Sequence, residues 1–193
     1  MRIVIPVKRL SEAKTRLAPV LSAGERSALM CGLIDHVLAV AMVVAPVSVV
    51  TADDIVARRA RASGADVIDE QRVAGLNRAA RLGVERLRSD GEVAILLLAA
   101  DLPDVTAGAL QAMLALWRPG TVTIAPSRDG GTNALALSTG VDFRFAYGPS
   151  SFERHRTEAM RLGMEINVHE CAELGVDIDR PQDLAGHLEL WAA

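Results

Sequence analysis

Short apolar runs alternate along the chain with segments whose apolar residues recur every three or four positions, and that alternation sets the expected fold. Ile3-Val4-Ile5-Pro6-Val7 is a continuous run rich in β-branched residues, as in a strand buried on both faces of a parallel sheet. Ser22-Ala23-Gly24-Glu25 has capping-box spacing, and Leu29, Leu33, Ile34, Val37, Leu38 and Ala41 follow at helical intervals up to the break at Pro46. Val47–Thr51 then reads as a strand. A helix capped by Asp53 or Asp54 runs to Ser63 with Gly64 as its stop, and Asp66-Val67-Ile68 is a short strand. The pattern continues with a helix from Leu76 to Arg88, a strand at Val93–Ala99, a helix from Thr106 to Trp117 and strands at Thr121–Ala125 and Asn133–Leu137. A helix after Pro149 reaches about Leu162, Glu165–Val168 is a strand, and a last helix spans Pro181 to Trp191, with proline in its first turn. Strands alternating with helices in this way predict an α/β protein, a three-layer α/β/α sandwich with a mostly parallel sheet, as a single domain over residues 1–193.

Composition narrows the function classes. A net charge of −3 with only 3% aromatic residues argues against nucleic-acid binding, which draws on a basic face and stacking platforms. Cys31 and Cys171 stand far apart outside any Cys-x-x-Cys arrangement, so neither a zinc site nor a disulfide framework is expected, and a reducing cytoplasm fits. The apolar run before Lys8 is too short for a signal-peptide core, and the longest apolar stretch, Val37 to Val50, is broken by Pro46. No membrane segment is expected.

The basic residues are nearly all arginine. The two lysines, Lys8 and Lys14, both fall in Val7-Lys8-Arg9-Leu10-Ser11-Glu12-Ala13-Lys14-Thr15-Arg16-Leu17, directly after the first strand. Ligands bind at the carboxyl ends of strands in open α/β sheets, and lysine is a compact, mobile counter-charge for phosphate. A solvated cationic loop would look the same. Asp101 stands just past the most apolar strand, where a hard cation and a phosphate could reach it, though a turn aspartate also fits there. Asp177 and Asp179, spaced to share a face of an extended segment, could bind an ion, or Asp179 could cap the helix at Pro181. Two glycine-containing turns, Ser127-Arg128-Asp129-Gly130-Gly131-Thr132-Asn133 and Tyr147-Gly148-Pro149-Ser150-Ser151-Phe152, offer amides and hydroxyls. In the second, Ser150 or Ser151 at the start of a helix could bind phosphate or cap the helix.

Five motifs in chain order resemble the 2-phospho-L-lactate guanylyltransferase (CofC-like) family, which has the nucleotidyltransferase fold. They are Pro6-Val7-Lys8-Arg9-Leu10 with Ala13-Lys14-Thr15-Arg16-Leu17, Asp101-Leu102-Pro103, Gly131-Thr132-Asn133-Ala134-Leu135, Gly148-Pro149-Ser150-Ser151-Phe152 with His155, and Asp177-Ile178-Asp179 with Pro181 and Asp183-Leu184. The resemblance implies transfer of GMP from GTP to the phosphate of a three-carbon acid, with release of pyrophosphate, in the assembly of the deazaflavin coenzyme F-420. The acid would be phosphoenolpyruvate, 2-phospho-L-lactate or 3-phospho-D-glycerate. It implies Mg2+ on Asp101, Asp177 and Asp179, and the acceptor phosphate on Thr132, Gly148 and Ser151, with Asn133 and Ser150 beside them. Lys8, Lys14 and Arg16 are then expected to act catalytically with Asp101, neutralising the triphosphate or the leaving pyrophosphate. A transient contact with the next enzyme, which would receive a labile product, is expected too.

The chemistry accounts for these residue types. A phosphomonoester, with its second pKa near 6, is already largely ionised at neutral pH and needs no general base. Bringing it against a triphosphate costs about 4 kcal/mol for each pair of like charges about 4 Å apart at an effective dielectric near 20, so cations must offset the repulsion. No glycine-rich turn lies between Val7 and Leu17 to cradle a triphosphate, and Asn77 is a candidate for reading the base, although a polar residue at a helix start needs no such role. Two further readings stay open: a glycosyltransferase of similar fold, whose Asp-x-Asp pair usually lies mid-chain, and a non-catalytic phosphate-binding domain. The apolar segment Leu33 to Met42 and Trp191 could serve a homodimer contact as easily as a core.

Overall fold

The computed structural model describes residues 1–70, 75–184 and 187. β1 (Arg2–Pro6), β2 (Val47–Thr51), β3 (Asp66–Asp69), β4 (Ala94–Leu98), β5 (Thr121–Pro126), β6 (Thr132–Ser138) and β7 (Glu165–Val168) form one sheet in the order β3-β2-β1-β4-β6-β5-β7. Every pairing is parallel except those of β6, which runs antiparallel to both β4 and β5. The strand order reverses at the β1–β4 pair, the place where an α/β sheet opens a crevice.

Alternation of side chains along each strand builds two cores. Ile3 and Ile5 of β1 and Leu96 and Leu98 of β4 face α1 (Ala23–Val44), α2 (Asp54–Ala62) and α4 (Ala107–Leu116). Val4, Ile95 and Leu97 face the other way, toward α3 (Leu76–Ser89) and α5 (Ser151–Arg161). This is the expected three-layer sandwich. Gly83 lets α3 approach closely: a Cβ there would lie 2.7 Å from Val4 Cγ1 and 3.1 Å from Val50 Cγ2.

Helix α1 carries the expected capping box, with Ser22 N–H donating to Glu25 Oε2 at 2.7 Å and Glu25 N–H to Ser22 Oγ at 3.3 Å. By length and composition it could cross a membrane, which the broken apolar run in the sequence did not signal, because its sparse polar residues are spread along the helix. Its Leu33, Ile34, Val37 and Leu38 are buried inside the protein. Two 3-10 turns (Leu10–Glu12 and Thr15–Leu17) and a one-turn α6 (Ala172–Gly175) were not expected, being too short to leave a periodic signal. The final helix is described as α7 (Pro181–Leu184). Its expected continuation to Trp191 lies outside the described residues, apart from His187.

Candidate active site

A pocket of about 580 Å3 opens at the carboxyl ends of β1 and β4, within the range of small-molecule sites. The lysine segment, Asp101, both glycine turns and the Asp177–Arg180 segment all line it.

One wall is charged. The backbone brings the distant acids together, with Ile178 N–H donating to Asp101 O at 3.2 Å. Between them lies the Lys14 ammonium, ion-paired with Asp101 and 3.8 Å from Asp179 Oδ1, while Arg16 pairs with the other oxygen of Asp179. The Lys14 side chain is only 4% exposed. It enters from a left-handed backbone, φ +54° and ψ +35°, a conformation that costs a non-glycine residue of order 1 kcal/mol. Burial pushes the Lys14 pKa down, yet the charge and hydrogen bond of Asp101, aided by Asp179 and Asp177, outweigh it and leave the pKa raised. Asp177 has no hydrogen-bond or ion-pair partner among the described residues. Burial, then the charges of Asp101, Asp129 and Asp179 against that of Lys14, push its carboxyl up to about 6. Lys8 is exposed at the pocket rim and unpaired among the described residues.

Asp179 does not serve as a cap. The carboxylate of Asp183 instead accepts from the N–H groups of Asp179 (3.0 Å) and Arg180 (2.6 Å), shaping the turn that aims Asp179 at the cations. Asp129 is a pocket acid that the sequence did not single out. It accepts from Ser127 Oγ and from Gly131 N–H, and these bonds, the first above all, with the Arg180 and Arg16 charges hold it below the usual carboxylate range despite burial. Its Asp-Gly-Gly context reads as turn chemistry alone.

Among the described residues no three His, Cys, Asp or Glu side chains are arranged as a ready-made metal site, since the Lys14 ammonium takes the position between Asp101 and Asp179. The donor chemistry nevertheless fits a hard divalent cation. The acids supply carboxylate oxygens, and Asp177 has no ion-pair partner among the described residues.

A second wall of the pocket is lined by neutral donors, with the Arg154 guanidinium close to Gly148. Thr132, the first residue of β6, and Ser151, the first of α5, are both buried, and Ser151 Oγ lies 3.2 Å from Thr132 Oγ1. His155, wholly buried one turn along α5, lies 3.0 Å through Nδ1 from Thr132 Oγ1, and its Nε2 accepts from Ala146 N–H at 3.0 Å. Gly148 has φ +120°, open to glycine and rarely to other residues. Ser150 is exposed, in a left-handed conformation, and makes no capping bond. The helix start is a poorer anion site than the sequence implies, because Ser151 N–H already bonds Gly148 O and Phe152 N–H bonds Gly130 O. Asn133 lines the pocket but spends its amide on Leu174 O at 2.8 Å, which ties α6 to β6. Asn77 clamps the neighbouring loop: its Oδ1 accepts from Tyr147 N–H at 2.6 Å and its amide nitrogen lies 3.4 Å from Tyr147 O. That use leaves it a poor reader of a base.

Comparison with known proteins agrees with this geometry. Residues 1–190 match the family described as guanylyl transferase CofC like. The chain is 38% identical over 197 aligned positions to a phosphoenolpyruvate guanylyltransferase of Sphaerobacter thermophilus, covering 98% of this chain and 95% of that protein. It is 41% identical over 178 positions to a 3-phospho-D-glycerate guanylyltransferase of Phenylobacterium zucineum, covering 89% and 82%. A solved nucleotidyl transferase from Methanothermobacter thermautotroptrophicus superposes with a TM-score of 0.68 at 18% identity, covering 98% of this chain and 95% of that one, a likeness of fold. The match over nearly the whole chain, together with a pocket where the motif residues meet, places this protein in the CofC-like guanylyl transferase family.

Proposed function

We propose that the protein transfers GMP from GTP to the phosphate of a three-carbon phospho-acid. An oxygen of the acceptor phosphate attacks the α-phosphorus of GTP, a new P–O–P bond forms, the α–β bridging bond breaks, and pyrophosphate leaves. The observation that carries this reading is the convergence of Asp101, Asp177 and Asp179 on Lys14 across one pocket from the Thr132–Ser151 hydroxyls. Such a pocket has a charged wall for a triphosphate and a neutral donor wall for the acceptor. Because the acceptor oxygen is already ionised at neutral pH, the chain need only position and neutralise. Lys14 and Arg16, released from their acids, would turn toward the triphosphate and the departing pyrophosphate, with Lys8 at the rim.

Asp101, Asp177 and Asp179 would hold a divalent cation, Mg2+ in our reading, which when bound supplies positive charge against the phosphates. Thr132, Gly148 and Ser151 would receive the acceptor phosphate, with Ser150 beside them and Asn133 bracing the floor. Phosphoenolpyruvate and 3-phospho-D-glycerate, the substrates in the names of the relatives, and 2-phospho-L-lactate share a phosphate and a carboxylate on three carbons. The product would enter coenzyme F-420 assembly in the cytoplasm, where the free thiols of Cys31 and Cys171 are at home, and would pass to the next enzyme.

The test is pyrophosphate release from GTP with each of the three acids, with Mg2+ or with EDTA, and with the enzyme of the next step present or absent. Release with at least one acid, abolished by EDTA, is expected. Bound GTP with no pyrophosphate from any acid would overturn the proposal.

A further inference from the structure

Resting on the proposed acceptor site, we infer that His155 is a positioning residue: fixed as the neutral Nδ1–H tautomer, it leaves one hydroxyl proton of the Thr132–Ser151 pair free to be donated to the acceptor phosphate.

The bonds already described decide the tautomer. Ala146 N–H is a backbone donor, so the Nε2 it meets at 3.0 Å must present a lone pair. In a neutral ring the proton then sits on Nδ1 and is donated to Thr132 Oγ1. Solvent does not reach the ring, which is 0% exposed. Tyr147 packs against it edge-on, centroids 4.8 Å apart, and Phe143 lies at 5.8 Å, so it cannot flip without opening this core. Burial first, and the Arg154 charge second, push its pKa down to about 4, which keeps the ring neutral at physiological pH.

Counting protons shows the consequence. Thr132 and Ser151 bring one hydroxyl proton each, and one is used between them at 3.2 Å. With Nδ1–H donating to Thr132, the second proton has no partner among the described residues and is free for a ligand in the pocket that both residues line. With the opposite tautomer, Nδ1 would accept the Thr132 proton, the serine proton would serve the pair, and nothing would remain for a phosphate. Nε2–H would also oppose Ala146 N–H donor to donor, a loss at both ends. The histidine therefore acts through the threonine and never touches the phosphate.

Long-range 1H–15N spectra of the imidazoles of the free protein near neutral pH test the tautomer without turnover. A protonated Nδ1 and a bare Nε2 on His155 are expected; a protonated Nε2, or a doubly protonated ring, overturns the inference. Two variants test the consequence. His155→Asn keeps an amide donor near the Nδ1 position, whereas His155→Gln moves the amide to the Nε2 end. The Gln variant should raise the KM for phosphoenolpyruvate about tenfold, the effect of one hydrogen bond, with the KM for GTP within about twofold, and the Asn variant should recover most of the loss. Equal effects in both, or a change in the KM for GTP alone, sink the idea. If neither variant folds, the wild-type spectrum decides. Inorganic phosphate titrated against wild type and Thr132→Val separates this inference from the proposed activity: donor-dependent phosphate binding with no guanylyl transfer refutes the activity and leaves the donor count standing.

Discussion

On the charged wall of the pocket, Asp101, Asp129, Asp177 and Asp179 face Lys14, Arg16 and Arg180, and Asp177 has no hydrogen-bond or ion-pair partner among the described residues. On the neutral wall, Thr132, Ser151 and His155 carry no charge and bond to one another and to Ala146. In the proposed reaction both walls would serve phosphates, yet only the neutral one is already bonded within itself. A bonded neutral network needs no rearrangement to receive an anion, which is how preorganised sites hold down their binding costs. On the proposed mechanism the charged wall would have to change: Lys14 spends its charge on Asp101 and Asp179, and a triphosphate or a cation would draw it away. On that proposal the difference would give adaptation to one substrate and fixed recognition to the other.

The comparison is broken most severely at Asp101. Asp101→Asn should lower guanylyl transfer about 10³-fold, the scale of losing one electrostatic contact in a dry site, while phosphate binding at the neutral wall persists. Activity within about tenfold of wild type would show that the charged wall is not where the chemistry is supported. Next in size is the pH response of the neutral wall. His155 is neutral in the folded protein down to about pH 4 but gains a proton near 6.5 when unfolded. At this site the unfolded chain therefore binds more protons between these values, and the histidine's share of stability falls as pH drops from 6.5 toward 4, by on the order of 3 kcal/mol, against an opposite share from Asp177, whose raised carboxyl takes up a proton at about pH 6. Denaturant titrations should show wild type losing about that much stability relative to His155→Gln across the interval. Lys14→Met leaves Asp101 and Asp179 short of a counter-charge and should cost about 2 kcal/mol of stability in EDTA, with Mg2+ restoring much of it. A loss that Mg2+ does not touch would mean the acids do not accept a divalent ion. The smallest expected effect is that of Thr132→Val, which removes one neutral donor and should raise the acceptor KM about tenfold without moving that of GTP.

The sequence made the two walls legible to different degrees. Asp101 follows the most apolar strand, and the lysines follow the first, so the rule that ligands gather at strand ends was enough to place both. The Asp177–Asp179 pair needed the family resemblance, because a lone Asp-x-Asp before a proline serves a helix cap equally well. What could not be read is partnership across the chain. Nothing near Lys14 announces a left-handed backbone or a burial between acids 87 and about 165 residues away. Asn77 and Asn133 carry amides whose partners are backbone groups far along the chain, in the Tyr147 loop and in α6, and those partners cannot be read from residue types. His155 stood inside a motif without a role, because the role inferred for it depends on Ala146 N–H, and one backbone bond leaves no trace in residue types. The longer strands and helices were clear from their periodicity; the two 3-10 turns and α6 are too short to have one.

GTP binding to wild type and to Asp177→Asn, measured calorimetrically with Mg2+ and with EDTA, tests the charged wall most directly. Wild type should bind GTP at least about tenfold more tightly with Mg2+, and Asp177→Asn should bind with the same weak affinity in both buffers. Indifference of the wild type to Mg2+, or full Mg2+ enhancement in the variant, would contradict the account.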